Sequence, residues 1–221
     1  LKSLVDRDDI KAVIVELKDH GLGPAQREEF ENVLLEIKNS EKKVVFFADN
    51  YNGILTYELA SIGDEIILSP GGSVVIPGIA SRSVYVKGSL EKLGLETDIV
   101  AIGKYKSAKE LLSRTDMSDA DREQTAKYLD DIYYPVLDNI AKNRNRVRED
   151  IEELVNEIGY FNSDDAKSLG LIDTTMYWFE LDDYLNKKYG KMAIVDFEDI
   201  VNDKIVNETW GKRKPRIALV I

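Results

Sequence analysis

Three short runs of apolar residues, separated by helical patterns, constrain the fold of this chain more than any other feature. The runs cover residues 11–17, 44–48 and 65–68, and they are rich in the β-branched and aromatic residues typical of buried strands. Between them lie an amphipathic helical pattern at residues 25–39 and a shorter helical pattern at residues 55–62. A β-α-β-α-β order brings successive strands into one sheet through right-handed crossovers. The sequence therefore predicts an α/β fold built on a parallel sheet.

The rest of the chain alternates between further extended and helical patterns. Extended segments are predicted at residues 73–76, in a strand that ends at Gly103, at Leu171-Ile172, and at residues 194–197. Helices are predicted at residues 81–93, over most of residues 107–159, from Ser163 to Gly170, and at residues 179–189. Ser163 is the predicted cap of its helix, and Gly170 is predicted to end that helix. These patterns add a helical extension to the parallel sheet.

Charge and composition exclude several classes of function. The 221 residues carry a formal net charge of −11, so the chain lacks the basic surface that nucleic acids or anionic membranes require. There is no cysteine, which excludes disulfides and thiolate chemistry. His20 is the single histidine, so a Ser-His triad or a multi-histidine metal site has very little to draw on. Carboxylates are frequent in the middle of the chain, among them Asp119, Asp121, Asp130 and Asp131, but they do not have the spacing of a calcium loop. No metal or cofactor is expected.

The two ends of the chain indicate a piece of a longer protein. The chain begins at Leu1 without an initiator methionine and ends within an apolar, β-type run. We predict a domain over residues 1–197, a polar connector over residues 198–214, and the opening strand of a second domain at residues 215–221. No apolar run approaches the roughly 20 residues needed to cross a bilayer. An anchor, if the parent protein has one, is expected outside this chain.

One lysine in the middle of the chain is a candidate catalytic base. Ser107 and Glu110 form a capping-box pattern, which makes Ser107 the predicted N-cap of a helix. Lys106 would then lie just outside the positive end of the helix dipole, with Lys104 and Lys109 nearby. These positive charges disfavour an ammonium, so Lys106 is a candidate neutral general base if the site is dry. The same residues also fit a solvated lysine that leads into a helix.

Two serines in suggestive surroundings are not candidate nucleophiles. The segment Ser69-Pro70-Gly71-Gly72-Ser73 lacks the Gly-Lys-Ser/Thr ending of a phosphate-binding loop, and we interpret it as a turn. No base can be identified beside Ser73 from the sequence. Ser107 adjoins Lys106, but neighbouring residues do not face each other on a helix, and its hydroxyl is already assigned to the cap.

Two motif blocks resemble the protease IV (signal peptide peptidase A) family. The first block runs from Gly103-Lys104-Tyr105-Lys106-Ser107-Ala108 through Glu110 to Met117-Ser118 and Arg122-Glu123-Gln124. The second runs from Gly159 to Asp173, ends in Gly-Leu-Ile-Asp, and is shared more loosely with Clp-type serine proteases. Weaker likeness extends over residues 13–189. The resemblance implies a Clp protease/crotonase-like fold and the amino-terminal domain of a two-domain member.

The resemblance also implies a serine peptidase that uses a Ser-Lys dyad. The general-base lysine of the family lies in the Tyr-Lys-Ser motif, which corresponds to Lys106, and the nucleophilic serine lies in a carboxy-terminal domain. The equivalent place in this chain offers Asn52, Gly53 and Thr56 rather than a Ser-Gly pair. The chain alone is therefore expected to be inactive.

For the whole protein, the resemblance implies an endopeptidase that cleaves released signal peptides on the extracytoplasmic side of the bacterial cytoplasmic membrane. Its expected partners are apolar peptide substrates, the second domain of the same protein, and further copies in a homo-oligomer, a tetramer in the full-length protein. Two alternatives remain open. The first is a non-catalytic domain that shapes an oligomer or binds peptide. The second, less favoured, is a crotonase-like acyl-thioester enzyme, whose coenzyme A pocket has no distinct support in the sequence.

Overall fold

The computed structural model describes residues 1–18, 21–191, 193–202 and 216–220, and its strands form one sheet. The strands are β1 (Ile10–Glu16), β2 (Lys43–Asn52), β3 (Glu65–Val75), β4 (Tyr160–Asn162), β5 (Thr174–Thr175), β6 (Ala193–Asp196) and β7 (Arg216–Val220). The α-helices are α1 (Pro24–Asn39), α2 (Ile54–Ser61), α3 (Lys87–Lys92), α4 (Glu110–Ser113), α5 (Asp119–Asn143), α6 (Arg148–Glu157), α7 (Ser163–Ser168), α8 (Leu181–Tyr189) and α9 (Phe197–Asn202).

The sheet is parallel except at one edge. Its order is β4-β3-β2-β1-β7-β6, with β5 paired to β3, and only the β3–β4 pair is antiparallel among the described strands. Strand β1 pairs in register with β2, from Ala12 opposite Lys43 to Glu16 opposite Phe47. Helices α1 and α2 are the crossovers between β1, β2 and β3. The predicted α/β fold, a parallel sheet of β-α-β units with a helical extension, is confirmed.

Alternation along the strands places one set of apolar side chains under α8. Because successive strand residues point to opposite faces, every second residue of β1, β2 and β3 joins the same layer. The buried members of this layer are Ala12, Ile14, Val45, Phe47, Ile67, Met176, Leu181 and Leu185. The last two belong to α8, so that helix is held to the sheet by its own apolar stripe.

The Ser69–Gly72 segment is a bulge within β3 rather than a turn that ends the strand. Pairing with β2 shifts between Ala48 and Asn50, because several extra residues of β3 are accommodated there. Gly71 has a φ of +83°, and a Cβ built on Gly72 would lie 2.1 Å from the main-chain oxygen of Asp49. Only glycine fits this close approach of two strands.

The Gly159–Asp173 block folds as a capped helix that returns to the sheet. Asn162, not the predicted Ser163, caps α7, because the Asn162 Oδ1 accepts from the main-chain nitrogens of Asp164 and Asp165. Gly170 ends the helix with a φ of +69°, as predicted. Beyond Gly170 the chain rejoins the sheet at β5, slightly later than the Leu171-Ile172 position expected from the sequence.

The described residues divide into two compact units. The first comprises Leu1–Pro77 with Leu137–Ile221 and contains the sheet, and the second comprises Gly78–Val136 and contains Lys106. Strand β7, which the sequence analysis assigned to a second domain, pairs with both β1 and β6. Residues 203–215, most of the predicted connector, lie outside the described part of the chain. The predicted boundaries at residues 197 and 214 stay a prediction.

Candidate active site

Lys106 lies in a tight turn within the Gly78–Val136 unit. Its main-chain nitrogen donates to the Gly103 oxygen at 3.3 Å, and Gly103 has a φ of +114°. A Cβ built on Gly103 would lie 3.6 Å from the Cγ of Lys106, so the lysine stem passes close over the glycine. The Lys106 side chain is exposed. The turn therefore presents Lys106 at the surface of its unit.

The predicted capping box at Ser107 is wrong. Lys106 occupies the N-cap position of a single 3-10 turn, Ser107–Lys109, and no side chain caps that turn. The α-helix that follows, α4, has only four residues, and the Glu110 carboxylate is used elsewhere. Because the helix dipole grows with aligned peptide units, such a short helix supplies little positive potential to Lys106. The electrostatics of this site must come from side chains.

The Glu110 carboxylate binds the residue that starts the next helix. Ser118 Oγ donates to Glu110 Oε1 at 2.6 Å, and the Ser118 nitrogen donates to Glu110 Oε2 at 3.1 Å. The Ser118 hydroxyl also accepts from the Asp121 nitrogen at 3.1 Å, which caps α5. Glu110 is 7% exposed, and the hydrogen bond from Ser118 lowers its pKa. A carboxylate therefore ties the chain just after Lys106 to α5.

A second carboxylate ties the chain just before Lys106 to the same helix. Lys104 Nζ donates to Glu123 Oε2 at 2.9 Å and to the Tyr105 hydroxyl at 3.0 Å. The Tyr105 hydroxyl donates to Glu123 Oε1 at 3.2 Å, which closes a three-membered network. These hydrogen bonds, first to Tyr105 and then to Glu123, raise the pKa of Lys104, and the bond from Lys104 lowers the pKa of Glu123.

Two lysines of this turn thus have different surroundings. Lys104 is held in its charged form by a carboxylate and a tyrosine hydroxyl. Within the described part of the chain, the Lys106 ammonium has no hydrogen bond or ion pair of its own. Of these two amines, that of Lys106 is therefore the one not held by a neighbouring side chain among the described residues.

A cavity of about 350 Å³ lies beside the residues that follow Lys106. Its lining mixes apolar and acidic groups, among them Tyr85, Ser107, Ala108, Leu111 and Asp121. The cavity is large enough for an amino-acid side chain, and it lies next to the Lys106 turn.

The segment before the turn, residues 95–102, belongs to no strand of the described sheet. The sequence predicts a strand that ends at Gly103, and this prediction is wrong for the described residues, where residues 95–102 form no ladder. A strand requires a hydrogen-bonding partner, and local sequence cannot supply one. Val100 and Ile102 are each 87% exposed.

In the larger unit, a pocket lies at the carboxyl ends of β1 and β2. It has a volume of about 380 Å³, and its lining includes Asp49, Asn50, Asn52 and Thr56. Gly53, with a φ of +97°, begins α2 at this edge. Carboxyl ends of parallel strands are where α/β proteins place ligands. Among the described lining residues, Thr56 is the one that carries a hydroxyl.

Comparison with known proteins identifies the family. The model of the family described as "Peptidase family S49" matches residues 36–190, most of the chain. The chain belongs to peptidase family S49. The predicted membership in the protease IV (signal peptide peptidase A) family is confirmed by named relatives as well as by this match.

Three relatives of this S49 chain span much greater lengths. It is 29% identical over 194 residues to "Serine protease SPPA, chloroplastic" of Arabidopsis thaliana, covering 86% of this chain and 28% of that protein. It is 30% identical over 174 residues to "Protease 4" of Haemophilus influenzae, covering 73% of this chain and 28% of the relative. It is 32% identical over 145 residues to "Protease 4" of Salmonella typhi, covering 65% of this chain and 23% of that relative. The chain thus spans about a quarter of these relatives.

Several residues in the region of the S49 match make contacts that the sequence did not indicate. Ser118 and Glu123 stand in the first motif block, but only the structure shows that they bind Glu110 and Lys104. In the second block, Asp173 accepts from the Ile66 nitrogen and from the Arg144 guanidinium. No periodicity or spacing signal indicates these partners, because they are distant in sequence.

Two other residues of this S49 chain were considered from the sequence, Ser73 and His20. Ser73 donates through its nitrogen and its hydroxyl to Asn50 Oδ1, which fits a structural role. His20 lies outside the described residues. Among the residues that are described, no three histidine, cysteine or acidic side chains are grouped as metal ligands. None of the described helices is both long and apolar enough to cross a membrane.

Proposed function

We propose that this chain carries the general base of an S49 serine endopeptidase of the Ser-Lys type, and that this base is Lys106. The observation that supports it is the contrast between the two lysines of one turn. Lys104 is bound by Glu123 and Tyr105, whereas the Lys106 amine has no partner within the described residues. The motif that contains Lys106 lies within the S49 match.

In the proposed mechanism, the neutral Lys106 amine accepts the proton of a serine hydroxyl as its oxygen attacks the peptide carbonyl. The tetrahedral intermediate then expels the amine of the leaving peptide, which takes the proton from the Lys106 ammonium. A water molecule, deprotonated by the same amine, hydrolyses the acyl-enzyme and restores the serine. Backbone N–H groups near the nucleophile stabilise the oxyanion in both steps.

The nucleophilic serine is proposed to lie in a part of the protein that this chain does not contain. The place at the carboxyl end of β2, where α2 begins, holds Asn52, Gly53 and Thr56. Thr56 lines that pocket together with Glu16, Lys18 and Asp49, but among the described residues no hydrogen bond joins its hydroxyl to any of these three. We therefore expect this chain alone to have no peptidase activity. The nucleophile-bearing part is then an obligatory partner, which also covers Lys106 and removes water from its amine.

The proposed substrates are apolar peptides, such as released signal peptides. The exposed Val100 and Ile102 and the cavity at Leu111 support this, because they place apolar surface on the segments that flank Lys106. Activity on the extracytoplasmic side of the bacterial cytoplasmic membrane, and assembly into a homo-oligomer such as a tetramer, belong to the same proposal. An acidic chain of net charge −11 gives no reason to include nucleic acid among the partners.

The test is substitution of Lys106 in the full-length protein. Lys106→Met removes the amine and retains the length of the side chain. Turnover of an apolar peptide should fall to background, while circular dichroism and the melting temperature stay unchanged because the side chain is exposed. Lys109→Met, three residues away, is the matched control and should retain turnover. Normal hydrolysis by Lys106→Met would sink the proposal.

One observation favours a second function, a non-catalytic scaffold domain that binds peptide. Lys106 is exposed in this chain, whereas a neutral catalytic lysine requires a dry site. The scaffold function predicts that Lys106→Met and Lys109→Met behave alike in the full-length protein. The same experiment therefore separates the two functions.

A further inference from the structure

The turn that carries Lys106 is attached to the first two turns of α5 on both sides. Before Lys106, the Lys104 ammonium and the Tyr105 hydroxyl both bind the Glu123 carboxylate. After Lys106, the Glu110 carboxylate accepts from the hydroxyl and the nitrogen of Ser118. We call these the leading anchor (Lys104, Tyr105, Glu123) and the trailing anchor (Glu110, Ser118).

We propose that Glu123 and Glu110 are positioning residues that fix the Lys106 turn on α5 so that its amine meets the nucleophile in one geometry. This inference rests on the proposed function. A turn closed by one main-chain hydrogen bond of 3.3 Å has little rigidity of its own. Ser118 and Glu123 are five residues apart, which separates the anchors by about 7.5 Å along the helix axis. Two attachment points at that spacing fix the direction of the turn as well as its position.

The leading anchor does more than an isolated surface ion pair would. The side chains of Lys104 and Glu123 are 63% and 59% exposed, so their attraction alone contributes little to folding. The network instead restrains two consecutive residues, and the second of them directly precedes Lys106. It also keeps the Lys104 ammonium bound to a carboxylate, so that amine is not available to compete for the proton of the nucleophile.

The chain offers a matched control on the same helix. Lys127 and Asp131 form another ion pair on α5, and the Asp131 side chain is 59% exposed, the same as Glu123. Among the described residues, no hydrogen bond or ion pair joins Lys127 or Asp131 to the Lys106 turn. Asp131→Asn therefore removes an equivalent surface charge and ion pair from α5 without loosening an anchor. A general effect of charge or helix stability would appear in both variants.

The experiment measures kcat and KM for an apolar peptide with the full-length protein. Glu123→Gln should lower kcat by about tenfold to a hundredfold, because a displacement of about 1 Å costs that much. The KM and the melting temperature should change little, and Asp131→Asn should behave like the parent protein. Ser118→Asp tests the trailing anchor, because it keeps an acceptor that caps α5 but replaces the donor to Glu110 with a like charge.

A second measurement does not depend on catalysis. Hydrogen exchange of the amides of residues 103–109 in this chain should be faster in Glu123→Gln than in Asp131→Asn. Equal kcat in Glu123→Gln and Asp131→Asn would overturn the inference, as would a loss of kcat matched by a loss of folded protein. If Lys106→Met remains active, the proposed function fails, and the exchange rates still report whether the anchors hold the turn.

Discussion

Asp173→Ala is expected to destabilise the sheet-containing unit more than any ordinary surface substitution. The Asp173 carboxylate accepts from the Ile66 nitrogen at 2.8 Å and from both terminal nitrogens of Arg144 at 3.1 and 2.9 Å. Arg144 also donates to the Gly170 oxygen, so this carboxylate joins α5, β3 and the end of α7. Removal leaves a buried main-chain donor without an acceptor and a guanidinium without its carboxylate.

The magnitude follows from the exposure of the partners. Loss of the acceptor for a buried N–H costs about 1–3 kcal/mol, and a charged hydrogen bond contributes a similar amount. The Arg144 side chain is 11% exposed, but Asp173 is 36% exposed, so solvent screening reduces the ionic part. We expect the free energy of unfolding to fall by about 2–4 kcal/mol, and the melting temperature by roughly 5–15 °C for a chain of this size.

The assay is urea denaturation of this chain, followed by tryptophan fluorescence and circular dichroism. The control is Asp150→Ala. The Asp150 side chain is 51% exposed, and its ion pair with Arg146 is long, at 4.0 Å, so its loss should cost less than about 1 kcal/mol. Arg144→Met combined with Asp173→Ala should cost less than the two single changes together, because they remove one shared interaction. Equal unfolding free energies for Asp173→Ala and Asp150→Ala would refute the reasoning.

Two further substitutions test the packing and electrostatics of the same unit. Burial, and then the Glu58 carboxylate, raise the pKa of Glu31 in the folded chain. The folded state therefore binds this proton more tightly than the unfolded state does. As a result, the free energy of unfolding falls as the pH rises from the ordinary glutamate pKa through the raised one. Glu31→Gln should therefore remove this slope and stabilise the chain at pH 7 relative to the exposed Glu29→Gln; lower stability at pH 7 contradicts this. Gly72→Ala forces a Cβ against the facing strand and should cost about 1–3 kcal/mol in urea denaturation. Gly88→Ala has open space and helical backbone, so it should be neutral or stabilising, and the same response from both glycines would count against the steric argument.

The sheet could be predicted from the sequence because each of its central strands has a recognisable local pattern of apolar residues. The apolar runs around Val13 and Val45 alternate into two buried layers, and each lies within one residue or a few residues of the observed strand. Gly170 could be predicted as a helix end, because its left-handed φ is a property that glycine accepts without strain. Features that depend on one residue and its immediate neighbours were therefore within reach.

Features that depend on distant partners were not. The Ser107–Glu110 spacing fits a capping box, but Glu110 instead binds Ser118, eight residues further along. The buried Glu65 carboxylate accepts from the hydroxyls of Tyr184 and Tyr189, more than a hundred residues away, and no local pattern indicates this contact. A propensity describes what a segment does alone, and these side chains are placed by elements that meet only after folding.

The candidate site changes its physical basis for the same reason. The sequence predicts that a helix dipole disfavours the charged form of Lys106. In the structure, the α-helix that follows Lys106 has four residues, and the Glu110 carboxylate binds Ser118 instead of forming a capping box. What distinguishes Lys106 in the structure is the contrast with Lys104, because Glu123 binds the Lys104 ammonium, whereas the Lys106 amine has no partner among the described residues. The motif residues Ser118 and Glu123 bind the two sides of this turn, and under the proposed function their spacing serves to place Lys106. If that is their role, substitutions at Glu123 should alter turnover through the placement of Lys106, without any change in the helix to which Glu123 belongs.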